Sequence, residues 1–381
     1  LYRNFRRKLN NMMPLERSAK IDSELENVAP ATLNVAQGVS PVILILSVLL
    51  MGCMVFSLST GALPISISEL WQIIGYKVGF VTTPILEEQK AIVFWIIRLP
   101  RVCLGVLVGA GLGIAGASLQ GLFRNPIADA GLIGVTSGAS LFAVMVIILN
   151  IKFMAISHVV GGAYLLSFAA FLGAALTTFM VYQLSKLAGD GGITTILLCG
   201  IAINAFAGAV TGLLTYMATD EELRSITFWG LGSLGGANWT TVAAVAPFVL
   251  CSVLFMPYLS KALNLLVLGE SQAGALGVNI KVLKRQVIIL ATMGVGASVA
   301  VAGMIGFVGL VVPHIIRNAF GPDHKTVLVG SAFGGAIVLT LADTISRTIV
   351  APSELPIGIL TALLGTPFFI YILWDQKRRK I

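Results

Sequence analysis

The chain has 381 residues, of which 57% are hydrophobic and 11% charged, and its formal net charge is +8. A soluble globular domain carries about 25% charged residues, so this composition excludes a chain that lies mostly in water. Long windows contain no charged side chain, and several exceed the roughly 20 apolar residues that a membrane-crossing helix needs. A membrane β-barrel is a poor alternative, because these windows do not alternate between apolar and polar residues.

Ten membrane-spanning helices are predicted from these windows. Their approximate bounds are 42–58, 94–118, 127–149, 159–185, 193–217, 241–260, 286–304, 306–320, 326–345 and 356–374. Because ten is an even number, both ends of the chain lie on one side of the membrane. Placing them in the cytoplasm puts 18 Lys and Arg residues inside and 7 outside, which is the usual bias. The sequence therefore predicts an all-α, polytopic bundle, N-in and C-in, whose basic charge reflects topology and not a nucleic-acid partner.

Polar segments divide the chain into a tail and one transmembrane domain. Residues 1–40 are mixed polar and predict a cytoplasmic N-terminal tail with little fixed structure. Residues 41–381 form the transmembrane domain, which includes a cytoplasmic loop at 261–285. The outer loop 60–92 contains a stretch, 67–76, that favours a short surface helix.

The sequence contains no convincing motif for catalysis, nucleotide binding or metal binding. Gly111-x-Gly113-x-x-Gly116 matches a dinucleotide fingerprint only formally, since no strand precedes it, and small residues at this spacing indicate close helix packing. The chain has no Gly-Lys pair and hence no Walker A motif, so ATP must be bound by another chain. His314 follows a proline and is a weak candidate for a haem ligand, while His158 and His324 have no companion at metal-ligand spacing. We therefore predict that the chain is not an enzyme and holds no permanent cofactor or metal.

Several motifs occur in a fixed order from about residue 45 to the end of the chain. They are Arg98-Leu-Pro-Arg101, then Gln120-Gly-Leu-Phe-Arg-Asn-Pro-Ile-Ala-Asp129, Leu268-Gly-Glu-Ser-Gln-Ala-Gly-Ala-Leu-Gly277, Gly306-Phe-Val-Gly-Leu-Val-Val-Pro-His-Ile-Ile-Arg317, Ala342-Asp-Thr-Ile-Ser-Arg347 and Glu354-Leu-Pro-Ile-Gly358. Together they resemble the FecCD-like permeases that import iron-siderophores, haem and cobalamin through ATP-binding-cassette machines. The resemblance implies a cobalamin-permease-like (type II importer) bundle in the bacterial inner membrane. It also implies a homodimer with two cytoplasmic ATPase subunits and a periplasmic binding protein.

The resemblance assigns a docking role to three arginines at the outer ends of spans, Arg98, Arg101 and Arg347. In this family such exposed charges contact acidic residues of the binding protein and favour orientation and association rate. The alternative is that they anchor helix ends at the membrane surface. Pro100 suits a helix start, and Asp343 is expected to pair with Arg347, four residues on.

The resemblance also identifies the loop 261–285 as the segment that sits in a groove of the ATPase. Two short helices are predicted in it, one after Asn264 and one from Ser271, a possible N-cap, to Leu276. Gly277 then ends the second helix in a left-handed conformation. The alternative is an ordinary amphipathic loop. The residues assigned to ATPase coupling are Gly269, Glu270, Ala273, Leu276 and Gly277.

The transported substrate is predicted from an outer segment, residues 223–239, which has the sequence LRSITFWGLGSLGGANW. It is expected to be an outer loop followed by an interfacial helix, and it looks most like the haem-importing branch. Iron-siderophore and cobalamin remain alternatives. The many small residues of the span at 193–217 fit either a cavity wall or close helix packing. Two other classes stay open: an ion-coupled secondary transporter, disfavoured because no carboxylate lies mid-span, and a structural membrane protein with no cargo.

Overall fold

The computed structural model describes residues 39–80, 88–152, 162–189 and 191–378. Within these ranges the chain is helical and contains no β-strand. The predicted cytoplasmic tail lies outside the described residues, apart from residues 39 and 40, which already belong to the first helix. His158 also lies outside them.

Thirteen helices are present in the described ranges. They are α1 (Val39–Ser59), α2 (Ile67–Val78), α3 (Glu88–Phe123), α4 (Val135–Lys152), α5 (Gly162–Leu187), α6 (Ile193–Tyr216), α7 (Asp220–Leu231), α8 (Trp239–Leu266), α9 (Glu270–Ala275), α10 (Ile280–Ala302), α11 (Val308–Phe320), α12 (His324–Ser346) and α13 (Ile357–Arg378). A 3₁₀ turn, Ala130–Ile133, precedes α4, and another, Met256–Leu259, interrupts α8.

Ten of these helices are apolar and correspond one to one with the ten predicted spans. Seven are long and apolar enough to cross a membrane, namely α1, α3, α5, α6, α8, α10 and α12, and α4, α11 and α13 are shorter apolar helices. The remaining three, α2, α7 and α9, lie in connections, and α2 confirms the helix expected near 67–76. The prediction of about ten transmembrane helices is therefore confirmed.

Two predicted span starts were too early. The third apolar helix begins at Val135 and not near 127, because Pro126 and a separate 3₁₀ turn precede it. Asp129 caps that turn by accepting a hydrogen bond from the Gly131 N–H at 3.0 Å. The helix α11 begins at Val308, after Phe307 takes a left-handed conformation with φ +67°. With 13 residues, α11 is about 20 Å long.

Pro100 lies in the first turn of the α-helical segment Leu99–Phe123, which confirms that this proline suits a helix start. It lies inside α3, directly after a π-helical turn, Val93–Arg98, in which the Leu99 N–H donates to the Phe94 carbonyl. Proline has no N–H, and its ring collides with the carbonyl four residues earlier in a regular helix. A π turn widens the helix at that point, so α3 continues through the proline.

Small residues let α3 lie at the centre of the bundle, against α10, α11 and α12. A Cβ added at Gly113 would lie 2.0 Å from the Ser331 carbonyl oxygen of α12, and one at Gly116 would lie 2.0 Å from the Gly309 oxygen of α11. The helix backbones therefore touch, and no larger side chain fits without moving them apart. The Gly-x-Gly-x-x-Gly sequence is thus confirmed as a packing motif.

The small residues of α6 fall into two groups. Gly200 packs against the connection before α4, where an added Cβ would lie 1.9 Å from the Leu132 oxygen. Ala205, Gly208 and Gly212 are exposed, and no other atom lies within 4 Å of a Cβ added at either glycine. One part of α6 is therefore a packing surface, and the other part is uncovered in the single chain.

Candidate functional sites at the two ends of the bundle

The outer end of the bundle contains a buried ion cluster centred on Arg101. Its Nε and Nη2 donate to Asp343 at 2.9–3.1 Å, and its Nη1 and Nη2 donate to Glu354 at 2.7 and 2.9 Å. Two carboxylates thus engage all three guanidinium nitrogens, which is the strongest arrangement for an arginine ion pair. The Asp343 carboxylate is 4% exposed and the Glu354 carboxylate 44% exposed.

The other two arginines bind backbone carbonyls at the end of α1. Arg98 donates from Nη1 to the Leu58 oxygen at 2.6 Å and from Nη2 to the Leu63 oxygen. Arg347 donates to the Thr60 oxygen at 2.9 Å, to the Ser57 oxygen and to Ser57 Oγ. The last carbonyls of a helix have no partner within it, so these two side chains cap α1 and fasten it to α3 and α12.

The arginines expected as exposed charges are buried. Arg98 is 4% exposed, Arg101 is 8% exposed, and the Arg347 side chain is 10% exposed. The physical reason is that carbonyl and carboxylate oxygens replace the water that the guanidinium groups lose. The predicted pair of Asp343 and Arg347 is confirmed at 3.6 Å. The structure brings all three arginines together, and their docking role stays a prediction.

Glu354 is the residue of this cluster whose role the sequence did not reveal. It belongs to a recognised motif, Glu354-Leu-Pro-Ile-Gly358, so a signal was present, but its partner Arg101 lies 253 positions away. The hydrogen bonds from Arg101 hold the pKa of the Glu354 carboxyl below its usual range, although partial burial opposes the shift.

At the inner end, the residues predicted to couple to the ATPase form a compact turn of helix. α9 begins at Glu270, and Gly269 occupies the N-cap with φ +115°. Ser271 is therefore not the N-cap: at φ +115° glycine is favoured, and the helix starts as soon as this turn is complete. The helix expected after Asn264 is also displaced, because the inner helical segment of α8, Ser260–Leu266, contains Asn264 and ends at Leu266.

The end of α9 agrees with the sequence prediction. Gly277 has φ +91°, its N–H donates to the Gly274 oxygen, and the Val278 N–H reaches back to the Ala273 oxygen, both at 3.0 Å. Ala273 is fully buried, whereas Leu276 is 58% exposed. A salt bridge of 2.7 Å joins Glu270 to Lys284 of α10. The turn is therefore fixed on one side to the bundle and open on the other.

Polar contacts hold the neighbouring helix ends in place. Asn264 of α8 donates to Asp323 at 2.8 Å, and its Oδ1 accepts the His324 N–H at 3.0 Å. Its Oδ1 also lies 2.7 Å from His324 Nδ1. His314 lies 3.0 Å from the Asn318 amide nitrogen. Among the described residues no group of three or more His, Cys, Asp or Glu side chains could hold a metal ion.

A bundle of ten apolar helices around a glycine-rich central helix, with polar clusters at both membrane faces, defines a multi-pass membrane protein. The profile of the FecCD transport family matches residues 49–375. The chain therefore belongs to the FecCD transport family, and the resemblance drawn from its motifs is confirmed.

Individual relatives agree with this assignment. The chain is 43% identical over 288 residues to the hemin transport system permease protein HmuU of Yersinia pestis, which covers 74% of this chain and 84% of that protein. It is 41% identical over 296 residues to the cobalamin import system permease protein BtuC of Halobacterium salinarum, covering 78% and 77%. A solved structure described as an inward-facing conformation of an ABC transporter assigned to the metal-chelate type has a TM-score of 0.76 at 32% identity and covers 88% of this chain and 99% of its own.

These relatives establish the kind of protein and its location. The chain is a permease of an ABC importer, a transport component, and a multi-pass protein of the bacterial inner membrane. The rival interpretations as an ion-coupled secondary transporter or a cargo-free structural protein are set aside by family membership.

Proposed function

We propose that this chain is the membrane-spanning subunit of a haem importer. Two copies form a twofold dimer with the path at their interface, and two separate ATPase subunits bind beneath them. A periplasmic binding protein delivers haem, which is cargo and not a cofactor. The observation that carries the proposal is the inner turn around α9, which is anchored to the bundle and exposes apolar side chains to the cytoplasm.

This exposed surface supports the contact with an ATPase. Val267, Leu268 and Leu276 are each more than half exposed, and they lie on the cytoplasmic side by the charge bias of the loops. Exposed apolar groups that cluster in water commonly mark a partner interface. Because the Glu270–Lys284 salt bridge ties α9 to α10, movement of an ATPase against this surface would reach the membrane helices directly.

Docking of the binding protein at Arg98, Arg101 and Arg347 is part of the proposal. Their guanidinium groups already have acceptors within the chain, so an acidic partner must exchange with one of them. Glu354 is the acceptor best suited to this exchange, because its carboxylate is 44% exposed, whereas that of Asp343 is 4% exposed. In this scheme Glu354 holds Arg101 until a carboxylate of the binding protein replaces it.

Dimer formation is supported by the uncovered face of α6. Ala205, Gly208 and Gly212 are exposed, and small residues at this spacing allow membrane helices to approach closely. A second copy packed on this face would also place a smooth wall of small residues beside the path, which suits a flat apolar ring.

Haem is favoured over the alternatives by residues 223–239 and by the similarity to a hemin permease at 43% identity. Cobalamin is the second candidate, since a cobalamin permease is 41% identical. An iron-siderophore is the third, since the iron(3+)-hydroxamate permease FhuG of Bacillus subtilis is 38% identical.

The test is reconstitution of the permease with its ATPase in vesicles. Binding proteins loaded with haem, cobalamin or ferric hydroxamate are added in turn, and ATP hydrolysis and cargo uptake are measured. The proposal expects that only the haem-loaded binding protein stimulates ATP hydrolysis and supports ATP-dependent uptake of its cargo. Stimulation only by another loaded binding protein would replace haem by that cargo, and uptake without any ATPase would refute the importer mechanism itself.

A substitution in the inner turn tests the coupling surface. Leu276→Gln should reduce binding of the ATPase to the permease at least tenfold and abolish stimulated hydrolysis, because it removes an exposed apolar contact without disturbing packing inside the chain. Pull-down of the ATPase by the purified permease provides the measurement. Leu187→Gln is the matched control, since Leu187 is 84% exposed and lies at the same membrane face outside the turn. Equal binding by both variants would contradict the assignment.

A further inference from the structure

A groove runs between α5 and α10 on the outside of the bundle. Its volume is about 570 Å³, and it is lined mainly by apolar side chains. Those that form its walls include Phe171, Leu176, Phe179, Ile289 and Met293. Leu176, Phe179 and Ile289 are each at least 40% exposed, so the groove is open along its length.

The cytoplasmic end of this groove is basic. A second cavity, of about 420 Å³, adjoins the first, because Tyr182, Lys186 and Arg285 line both of them. Lys281 and Lys284 also line the second cavity. The apolar groove therefore leads into a basic pocket at the level where a span meets the cytoplasm.

Most of the positive charge in the pocket is uncompensated. Lys284 is neutralised by its salt bridge to Glu270. Lys186, Lys281 and Arg285 have no carboxylate within 4.0 Å among the described residues, although Lys186 Nζ lies 4.3 Å from the centre of the Tyr182 ring. Asp190 lies outside the described residues, and the pocket remains net positive even when its charge is counted.

We propose that this groove binds an anionic phospholipid of the inner leaflet. One acyl chain would lie against the apolar walls between α5 and α10, and the phosphate would contact Lys186, Lys281 and Arg285. Basic pockets between membrane helices on the cytoplasmic side are suited to anionic head groups, and the long lysine and arginine side chains reach the head-group level from the helix ends. A free phosphate would use only the basic pocket and leave the larger apolar groove empty.

The site is tested with the full-length chain purified in a mild detergent. Palmitoyl-oleoyl phosphatidylglycerol and phosphatidylcholine with the same acyl chains are titrated separately, and bound lipid is counted by native mass spectrometry. Phosphatidylglycerol should bind at least tenfold more tightly. Lys186→Gln with Arg285→Gln should weaken its binding roughly 25-fold, since each basic residue near the surface contributes a preference of about fivefold.

Two further variants separate the groove from general surface charge. Lys261→Gln with Lys325→Gln removes the same charge from the same membrane face, but neither residue lines the groove, so phosphatidylglycerol should stay bound. Ala175→Phe fills the apolar cavity, which Ala175 lines, and should cause loss of both lipids. The proposal is overturned by equal affinity for the two lipids or by equal losses in the two charge variants. Full binding in Ala175→Phe, or displacement by inorganic phosphate, would overturn it as well.

Discussion

Arg101 is the residue where burial and charge are most finely balanced. Its guanidinium is 9% exposed and lies between an almost fully buried carboxylate and a half-exposed one. Taking such groups out of water is costly, and the cost is offset only while every partner is present. The cluster is therefore sensitive to the removal of one member.

Replacement of Arg101 by glutamine should destabilise the folded chain by about 3–5 kcal/mol, because Asp343 would remain buried with a weaker set of donors. Unfolding in mixed micelles measures this effect. Arg224→Gln is the comparison, since Arg224 is an exposed outer arginine of α7 that lies over the Phe228 ring. A similar loss of unfolding free energy in both variants would mean that the buried cluster contributes no more to stability than an exposed arginine does.

Glu354 makes the cluster dependent on pH. Its pKa in the folded chain is lowered, first by the hydrogen bonds from Arg101. Its contribution to stability is therefore complete above the ordinary glutamate pKa of about 4.3 and is lost as the pH falls through the lower folded value. Unfolding measured between pH 6 and pH 3 should show a loss below about pH 4.3 that is smaller in Glu354→Gln. Identical profiles would exclude this carboxyl as the source.

Sequence reasoning found the local part of this cluster and missed the distant part. Asp343 and Arg347 are four residues apart on one helix, so helix geometry alone predicts their contact. Arg101 and Asp343 are 242 positions apart, and nothing in a single sequence says which distant helices become neighbours. The carbonyl oxygens that accept hydrogen bonds from Arg98 could not be predicted either, because every helix end offers free carbonyl groups.

At the scale of elements, α3 depends on the absence of side chains along one face. Its packing could be predicted from the glycine spacing, but its partners α11 and α12 could not. The π turn before Pro100 could not be predicted either. A proline fits the first turn of a helix whether a loop or a π-helical turn precedes it.

The Gly113→Ala variant tests this packing. A methyl group 2.0 Å from the Ser331 oxygen must push α3 and α12 apart, and overpacking of this kind costs about 1–3 kcal/mol. Gly52→Ala is the matched control, because no other atom lies within 4 Å of a Cβ added there. Unfolding of both variants in mixed micelles should show a loss for the first alone. A tolerated Gly113→Ala would mean that the helices are less closely packed than described.

For the whole molecule, ten apolar helices could be counted from the sequence because charge is confined to short loops. Their orientation is predicted from the same charges. The span ends were less accurate, since the turn before α4 and the left-handed residue before α11 depend on packing and not on hydropathy.

Labelling of single cysteines tests the topology. The four native cysteines are first replaced by serine or alanine, and one cysteine is introduced at Asp220 or at Gln272, both of which are exposed. A membrane-impermeant maleimide should react with Asp220→Cys in intact cells and with Gln272→Cys only after the cells are opened. Reaction of Gln272→Cys in intact cells would reverse the orientation.

The long sequence separation within the outer cluster sets the order in which the chain can be completed during synthesis. Arg98 finds its carbonyls as soon as α3 enters the membrane, because α1 has already been made. Arg101 must wait for Asp343, 242 positions later, which at 5–20 residues per second is about 12–50 seconds of translation. During that interval the Arg101 guanidinium lacks both of its carboxylate partners, so water and lipid head groups at the membrane surface must solvate it until the last helices arrive.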